Sequence, residues 1–394
     1  MAHADSCPRE ERERLEARVL RSVAAKTADR RVAGRRFPCT PDDFRTDFER
    51  DYTRIIHSRA FRRLRHKTQV FISPRNDHLC TRLEHSLHVA SVANTIARAL
   101  LLNTDLVSAI AAGHDVGHAP FGHKGERCLD ELARKAGLPG FSHELQSLRV
   151  VDLLDSPYDE HRGLNLTFAV RDGIACHYGE GFEQTLEPDR QKQPECLESI
   201  RRGEDRPATL EGCVVRWADK VGYIGRDLED AYAEKLVAEG ELPKVVRRTL
   251  GTRNKSIIAN LVRDIVTNSR DHDRISVGAS VHEALNALYE FSRERIYRSE
   301  TVTQRFRQID KAMRFMFDEL TSLLAAAGNR QDGDLFPDQA RPWCLQVLSE
   351  FLVRDVRTWR EERPEQLALD FVAGMTDSFF VSAFEELFFP RSTV

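Results

Sequence analysis

With 394 residues, of which 41% are hydrophobic and 31% charged, the chain can bury a sizeable core and is not a disulfide-stapled miniprotein. Its 59 basic and 62 acidic residues leave a net charge of -3, so no global attraction to nucleic acid or to a membrane surface follows. The eight cysteines (Cys7, Cys39, Cys80, Cys128, Cys176, Cys196, Cys213, Cys344) include no C-x-x-C pair, which excludes a zinc ribbon and a thioredoxin-type motif and points to reduced thiols. The first 20 residues are too charged for a signal peptide, and the apolar runs fall short of the roughly 20 residues that span a bilayer. A soluble cytoplasmic protein with no membrane partner is expected.

Residues 1–50 are charge-rich and interrupted by Gly34, Pro38 and Pro41, and read as an N-terminal arm with one short helix over Glu10 to Ala25. From Asp51 helical periodicity dominates. Leu83, Leu87, Val92, Ile96 and Leu100 make an apolar stripe on one helix, with Leu83 and Leu87 facing the core. Thr104 and Asp105 are candidate caps of the next helix, which carries Leu106, Ile110 and Ala111 and ends near Gly117. The run RAFRRLRHK (59–67) reads as an amphipathic helix with a solvated basic face. Gly179, Gly181, Pro188, Pro194, Gly203 and Pro207 mark 178–210 as a long loop region, a kind often used for function. Further on, Ser280 to Arg298 has capping-box spacing at Ser280 and Glu283, and Pro364 to Phe389 is a last amphipathic helical stretch. Strand-like alternation is scarce. The fold is expected to be all-α, with a helical core over 51–240 and an appended C-terminal helical lobe over 241–394.

Eleven of the fourteen histidines (57, 66, 78, 85, 88, 114, 118, 123, 143, 161, 177) lie between residues 57 and 177, where even scatter would put about four. Clustering of that kind suggests chemistry. His114-Asp115, in AAGHDVGHAPFGH, stands at the end of an apolar helix, where polar ligands can leave the core. Upstream lies His85 in RLEHSLHVA, and downstream Asp219 opens ADKVGYIGRDLED. Two imidazoles with two carboxylates suit Mn, Fe, Zn or Mg and leave coordination positions for water and a phosphate oxygen. A lone His-Asp pair is weak evidence, because most such pairs are surface or capping residues. The ordered set H…HD…D is the signature of the HD superfamily, which the chain resembles.

The resemblance narrows at RDYTRIIHSRAFRRLRHKTQVF, RLEHSLHVA, GHDVGHAPFGHKGE, SHELQS, ADKVGYIGRD and DFVAGMTDSFF. Together these are similar to the bacterial deoxyguanosine-triphosphate triphosphohydrolase family, related to the vertebrate SAM-and-HD-domain dNTP hydrolase, over about residues 45 to 390. The resemblance implies metal ligands at His85, His114, Asp115 and Asp219, holding Mn, Mg or Fe. It implies a catalytic His123 with Glu126 as its acidic partner and His143 as the second histidine of the relay. Glu126 stands where the vertebrate relative has Asp, one methylene shorter. Arg82, His118 and Lys220 match positions facing phosphate oxygens, and Gln69, Tyr223 and Asp227 match positions around the deoxyribose. The implied reaction cleaves a dNTP, dGTP among the candidates, to deoxynucleoside and inorganic triphosphate by attack of metal-generated hydroxide on the α-phosphorus. His123 protonates the leaving 5′-oxygen.

Each residue also has a structural reading. His85 and His88 could be polar-face residues, Asp115 and Asp219 helix caps or salt-bridge partners, His118 and His123 turn histidines, and Tyr223 core packing. His57, His66, His78, His161 and His177 are assigned structural or supporting places. A competing enzyme reading is an HD phosphohydrolase for another nucleotide, a monophosphate, cyclic nucleotide or alarmone. Another is a nucleotide sensor or single-stranded nucleic-acid binder with a vestigial site, for which the basic run 59–67 would be the surface; neither is favoured. The family resemblance also implies a homo-oligomer, supported by Phe371, Phe379, Phe380, Phe384, Phe388 and Phe389, and leaves open whether a second dNTP activates.

Overall fold

The computed structural model describes residues 7–69, 80–157, 161–178, 183–328, 343–355 and 359–389, and of 300–306, 354 and 355 the backbone alone. His78, Val70-Phe71 of the first motif, Gly179 and Gly181 lie outside the described residues. The architecture is helical, as expected. Among the described residues its sheet is a single antiparallel pair, Thr185–Leu186 with Ile275–Ser276.

Four helices build the floor of the site. The Arg82–Ala99 helix starts with a capping box between Thr81 and Glu84, and buries Arg82, His85, Ser86, Val89, Val92, Ala93, Ile96 and Ala97. Those positions recur every three to four residues, so His85 shares the core face with valine and isoleucine. Leu87 is 54% exposed and Leu83 only partly buried, so the apolar stripe is rotated from the one expected. The Thr104–Gly113 helix is capped by Asn103, whose side chain accepts from the Asp105 and Leu106 amides, rather than by Thr104 or Asp105. Everything from Leu106 to Gly113 except Ser108 is buried, and the helix stops at Gly113, one residue before the polar pair. It packs against Arg82–Ala99, Asp47–Ile56, Phe168–Ala175 and the 24-residue helix Leu210–Ala233.

The Leu210–Ala233 helix places Asp219, Tyr223 and Asp227 at four-residue steps on one face. Gly117 lies where a Cβ would stand 2.1 Å from the Ser147 amide, so this turn touches the His143–Arg149 helix backbone to backbone. A side chain there would push the His114-Asp115 turn away from His143.

Several expected elements differ in detail. The first helix is Pro8–Val19, ending before Ala25. The basic run is a short helix Arg59–Arg63 followed by a 3-10 turn Leu64–His66, and Lys67 is buried instead of solvated. The 178–210 region contains, besides loop, the strand Thr185–Leu186 and the 3-10 turn Pro194–Ser199. Ala279–Ser292 is capped by Gly278 with no side-chain bond, so the Ser280/Glu283 box does not form, and a π-type turn Arg293–Tyr297 follows it. The stretch from Pro364 is two helices, Pro364–Gly374 and Asp377–Phe388, divided where Thr376 caps the second. Residues of the N-terminal segment bond to the core: Arg35 pairs with Asp47 and Asp51, and the Phe37 amide donates to Asn165. The eight cysteines are all free.

Candidate active site

His114 and Asp115 follow directly on the buried Thr104–Gly113 helix, and both are 1% exposed. The His114 Nδ1 lies 2.7 Å from the Ala111 carbonyl, which can only accept, so the proton sits on Nδ1 and the Nε2 lone pair is bare. That Nε2 is buried and without a hydrogen-bond partner. It stands 3.7 Å from Asp115 Oδ2 and 3.9 Å from Asp219 Oδ1, while His85 Nε2 lies 2.9 Å from the same Asp219 oxygen. Burial holds the His114 imidazole down at about 4, against the pull of Asp115, so it stays neutral and able to ligate. Burial raises Asp115, but the Arg82 guanidinium, 2.8 Å from Oδ2, and the surrounding histidines outweigh it and hold the carboxyl well below its usual range. Asp219 is likewise held low: His85 and His114 outweigh its burial. The set His85, His114 and Asp115 places one ligand atom each within 4.8 Å of one another. An orphaned buried imidazole nitrogen facing two ionised carboxylates is a donor set that fits a divalent cation.

A second cluster adjoins the first. His123 and Glu126 sit one turn apart at the start of the Gly122–Lys135 helix, with His123 Nδ1 3.2 Å from Glu126 Oε2. The same carboxylate oxygen lies 3.0 Å from His143 Nδ1, and Glu126 Oε1 receives the His143 amide at 3.2 Å. The longer Glu126 side chain thus reaches both histidines. Burial alone would lower the His143 imidazole, but Glu144 and Glu126 outweigh it and push it up to about 9. His177, held neutral by burial and by His143, keeps its Nδ1 proton on the Ile174 carbonyl at 2.6 Å and offers a bare Nε2, 3.2 Å from His143 Nε2. His143 is therefore an imidazolium whose two N–H groups donate to Glu126 and His177. His118, fully buried with Nε2 unpartnered, packs its ring 4.7 Å from that of His143 and 5.2 Å from that of His123. The two clusters touch where His143 Nε2 lies 4.0 Å from Asp115 Oδ1.

His177 belongs to this constellation and was assigned a supporting place from sequence. A signal for it exists: it follows the apolar helix Phe168–Ala175 as His114 follows Thr104–Gly113, and each puts Nδ1 on a carbonyl three residues back. Arg202, from the 178–210 region, was not singled out at all. Its Nη2 donates to Glu126 Oε1 at 3.0 Å, its Nε stands 3.6 Å from Glu144, and its guanidinium lies over the Tyr178 ring at 5.0 Å. No composition or spacing signal marks it. His88 is exposed, one turn from His85 on the same helix, His66 accepts from Arg65, and His161 stacks on Phe37.

The remaining sequence-singled residues line the surroundings. Gln69 is buried with an unpartnered Oε1, and its carbonyl abuts Gly122. Asp227 is buried, accepts from the Tyr297 hydroxyl at 2.8 Å, and is raised to about 6 by that burial; Tyr223 is partly buried nearby on the same helix face. Lys220 is directed over the Trp217 ring at 5.4 Å, and burial with Arg216 beside it lowers the amine to about 8. Phe371 and Phe380 are buried, whereas Phe389 is 62% exposed. Among the described residues no helix is long and apolar enough to cross a membrane.

The HD domain family model matches residues 82–223, a span that opens at Arg82 and takes in both clusters. A deoxyguanosinetriphosphate triphosphohydrolase-like protein of Caldanaerobacter subterraneus subsp. tengcongensis is 37% identical over 97% of this chain and 96% of its own length. One of Desulfatibacillum aliphaticivorans is 36% identical over 98% and 99% respectively. One of Rickettsia canadensis is 30% identical over 90% and 96%. The solved HD domain of the L. monocytogenes phosphodiesterase PgpH shares 16% identity over 55% of this chain and 92% of its own, at a TM-score of 0.24, a likeness too slight to argue from. With near-complete coverage at these identities, and with a cation-ready ligand cluster inside the matched span, this chain is an HD-domain phosphohydrolase of the deoxyguanosinetriphosphate triphosphohydrolase-like family.

Proposed function

We propose that the chain hydrolyses deoxynucleoside triphosphates to a deoxynucleoside and inorganic triphosphate. The observation that carries the reading is the adjacency of two different devices, a neutral-imidazole and carboxylate ligand set and a charged histidine–glutamate relay, meeting at Asp115 and His143. An HD site that only bound a cation would not need the second device. A divalent Mn, Mg or Fe ion held by His85, His114, Asp115 and Asp219 would supply an acidified water and neutralise phosphoryl charge.

The protein's own groups do the rest. With Nδ1 on Glu126, His123 presents Nε2 outward, and its side chain is 64% exposed, as a group that must reach a substrate requires. The leaving 5′-oxygen is an alkoxide and needs a proton, which His123 Nε2 donates as the bond to phosphorus breaks. Through the step Nδ1 keeps its proton on Glu126, a carboxylate that His143 holds from the other side, and the exposed Nε2 takes its proton back from solvent. Arg82, His118 and Lys220 hold the phosphates as one unit. Gln69, Tyr223 and Asp227 surround the sugar: the unpartnered Gln69 Oε1 can accept from the 3′-hydroxyl, and Asp227, poised near 6, can accept or donate. Tyr223 beneath the sugar leaves no room for a 2′-hydroxyl. We further place the enzyme in the cytoplasm as a homo-oligomer, the exposed Phe389 end of the last helix being available for assembly. Mixing the protein with Mn and each dNTP tests the activity; release of deoxynucleoside supports it, and no turnover of any dNTP refutes it.

A further inference from the structure

Among the described residues His123 makes one hydrogen bond, to Glu126, and its largely exposed ring touches those of His118 and His143 at one side, so its place depends strongly on its backbone. That backbone leaves a turn of unfavourable geometry. Phe121 has φ 64° and Gly122 φ 65°, two successive left-handed residues, the first of them bulky. Such a conformation persists only where its surroundings over-determine it. Here the surroundings come from the far end of the chain. Asp377, first residue of the Asp377–Phe388 helix, accepts the Phe121 amide on Oδ1 at 3.0 Å. Its Oδ2 accepts the Thr68 amide at 3.2 Å and the Thr68 hydroxyl at 2.6 Å. Lys67, buried next to Thr68, donates from Nζ to the His118 carbonyl and, at 2.7 Å, to the Ala373 carbonyl. The Phe121 ring meets Phe380 edge-on at 5.1 Å. The turn 118–121 is thus gripped at both ends by groups tied to the C-terminal helix pair.

We propose that Asp377 is a positioning residue for proton donation: it fixes the left-handed turn at Phe121 and thereby the orientation of His123. The inference rests on the reading of His123 as the proton donor. It gives the C-terminal helix pair a part in placing the donor, since Asp377 bonds the Phe121 amide directly, whereas Thr68 and Arg82 stand between it and Asp115.

The test compares Asp377→Ala, Asp377→Asn, His123→Ala and the double variant His123→Ala/Asp377→Ala in the full-length protein. Metal content, kcat and KM for dNTPs, and hydrogen exchange of the Phe121 amide are measured on each. Asp377→Ala should keep its metal and its KM within about threefold and lose about 10- to 100-fold in kcat, part of what a general acid contributes. In the His123→Ala background the same change should cost less than about twofold, because the group it positions is gone. Asp377→Asn, which keeps one acceptor oxygen, should fall between, and it carries the test if the alanine variant does not fold. The Phe121 amide should exchange at least about tenfold faster in Asp377→Ala. Equal losses with and without His123, or an unchanged kcat, overturn the proposal. If the wild-type protein turns over no dNTP, the function fails first, and the amide exchange alone decides: an unchanged rate overturns the clamp, a faster one upholds it.

Discussion

The two halves of the site are held in place by different kinds of contact. The ligand half is local: His85 stands on the buried face of its own capped helix, His114 is oriented by a carbonyl three residues back, and Asp219 leaves a helix buried along its length. The half proposed as a relay is assembled from afar, with Glu126 gripped by Arg202, 76 residues on, and the Phe121 turn held by Asp377, 256 residues on. A ligand set needs neutral nitrogens facing one point, which helix geometry supplies. A proton relay needs partners on both sides of each ring, and those come from the tertiary structure.

The largest expected effect strikes the ligand half. Asp115→Ala removes the carboxylate shared by Arg82 and the ligand cluster, and should abolish both bound metal and hydrolysis. A variant with stoichiometric metal and full rate, by elemental analysis and turnover, would show that these residues bind no catalytic ion. A smaller effect is expected from the relay half. His123→Ala should keep metal and nucleotide binding and lose about 10²–10⁴-fold in turnover. If its turnover is unchanged, the division of labour between the halves collapses.

Legibility in the sequence follows the same division. The all-α class was readable because helical periodicity is a local signal carried on single helices, and the H…HD…D order brought forward His85, His114, Asp115 and Asp219, which the fold gathers from three separate elements into an arrangement that fits a divalent cation. The cap at Asn103, the outward Leu87 and the buried Lys67 were misread, since side-chain competition and tertiary packing decide them. Lys67 reads as part of a basic face until one knows that two carbonyls, at His118 and Ala373, converge on it. His177 carried a usable signal in its place after an apolar helix. Arg202 carried none, as its partners lie outside any helical spacing.

Sugar selection should show a more modest contrast. If Tyr223 and Gln69 close the pocket around the deoxyribose, ATP and GTP should be hydrolysed about 10²-fold more slowly than the matching dNTPs. Comparable rates would move the sugar site elsewhere.

The smallest effect concerns stability, away from both halves. Glu211 is fully buried, accepts the Ala25 and Asn103 amides on Oε1 and leaves Oε2 unpartnered; burial outweighs those bonds and raises it from 4.5 to about 7. A carboxyl whose folded value lies above its unfolded one binds more protons folded than unfolded between about pH 4.5 and 7. Its stabilising protonated form is therefore complete below that window and lost as pH rises through it, by up to about 3 kcal/mol. Denaturant midpoints at about pH 5 and pH 8 should fall further apart in the wild-type protein than in Glu211→Gln; equal spacing would mean that Glu211 folds ionised.

The site of bond cleavage tests the central claim most directly. On the proposed reading, which puts the ligand set at the α-phosphate, holds the phosphates as one unit and sets His123 on the sugar side, the bond that breaks would be the one between the α-phosphorus and the 5′-oxygen. Chromatography and phosphorus NMR of the first products formed with Mn and a dNTP should show a deoxynucleoside and intact triphosphate. A deoxynucleoside monophosphate with pyrophosphate, or a diphosphate with orthophosphate, would place the acid at a bridging oxygen and contradict the account.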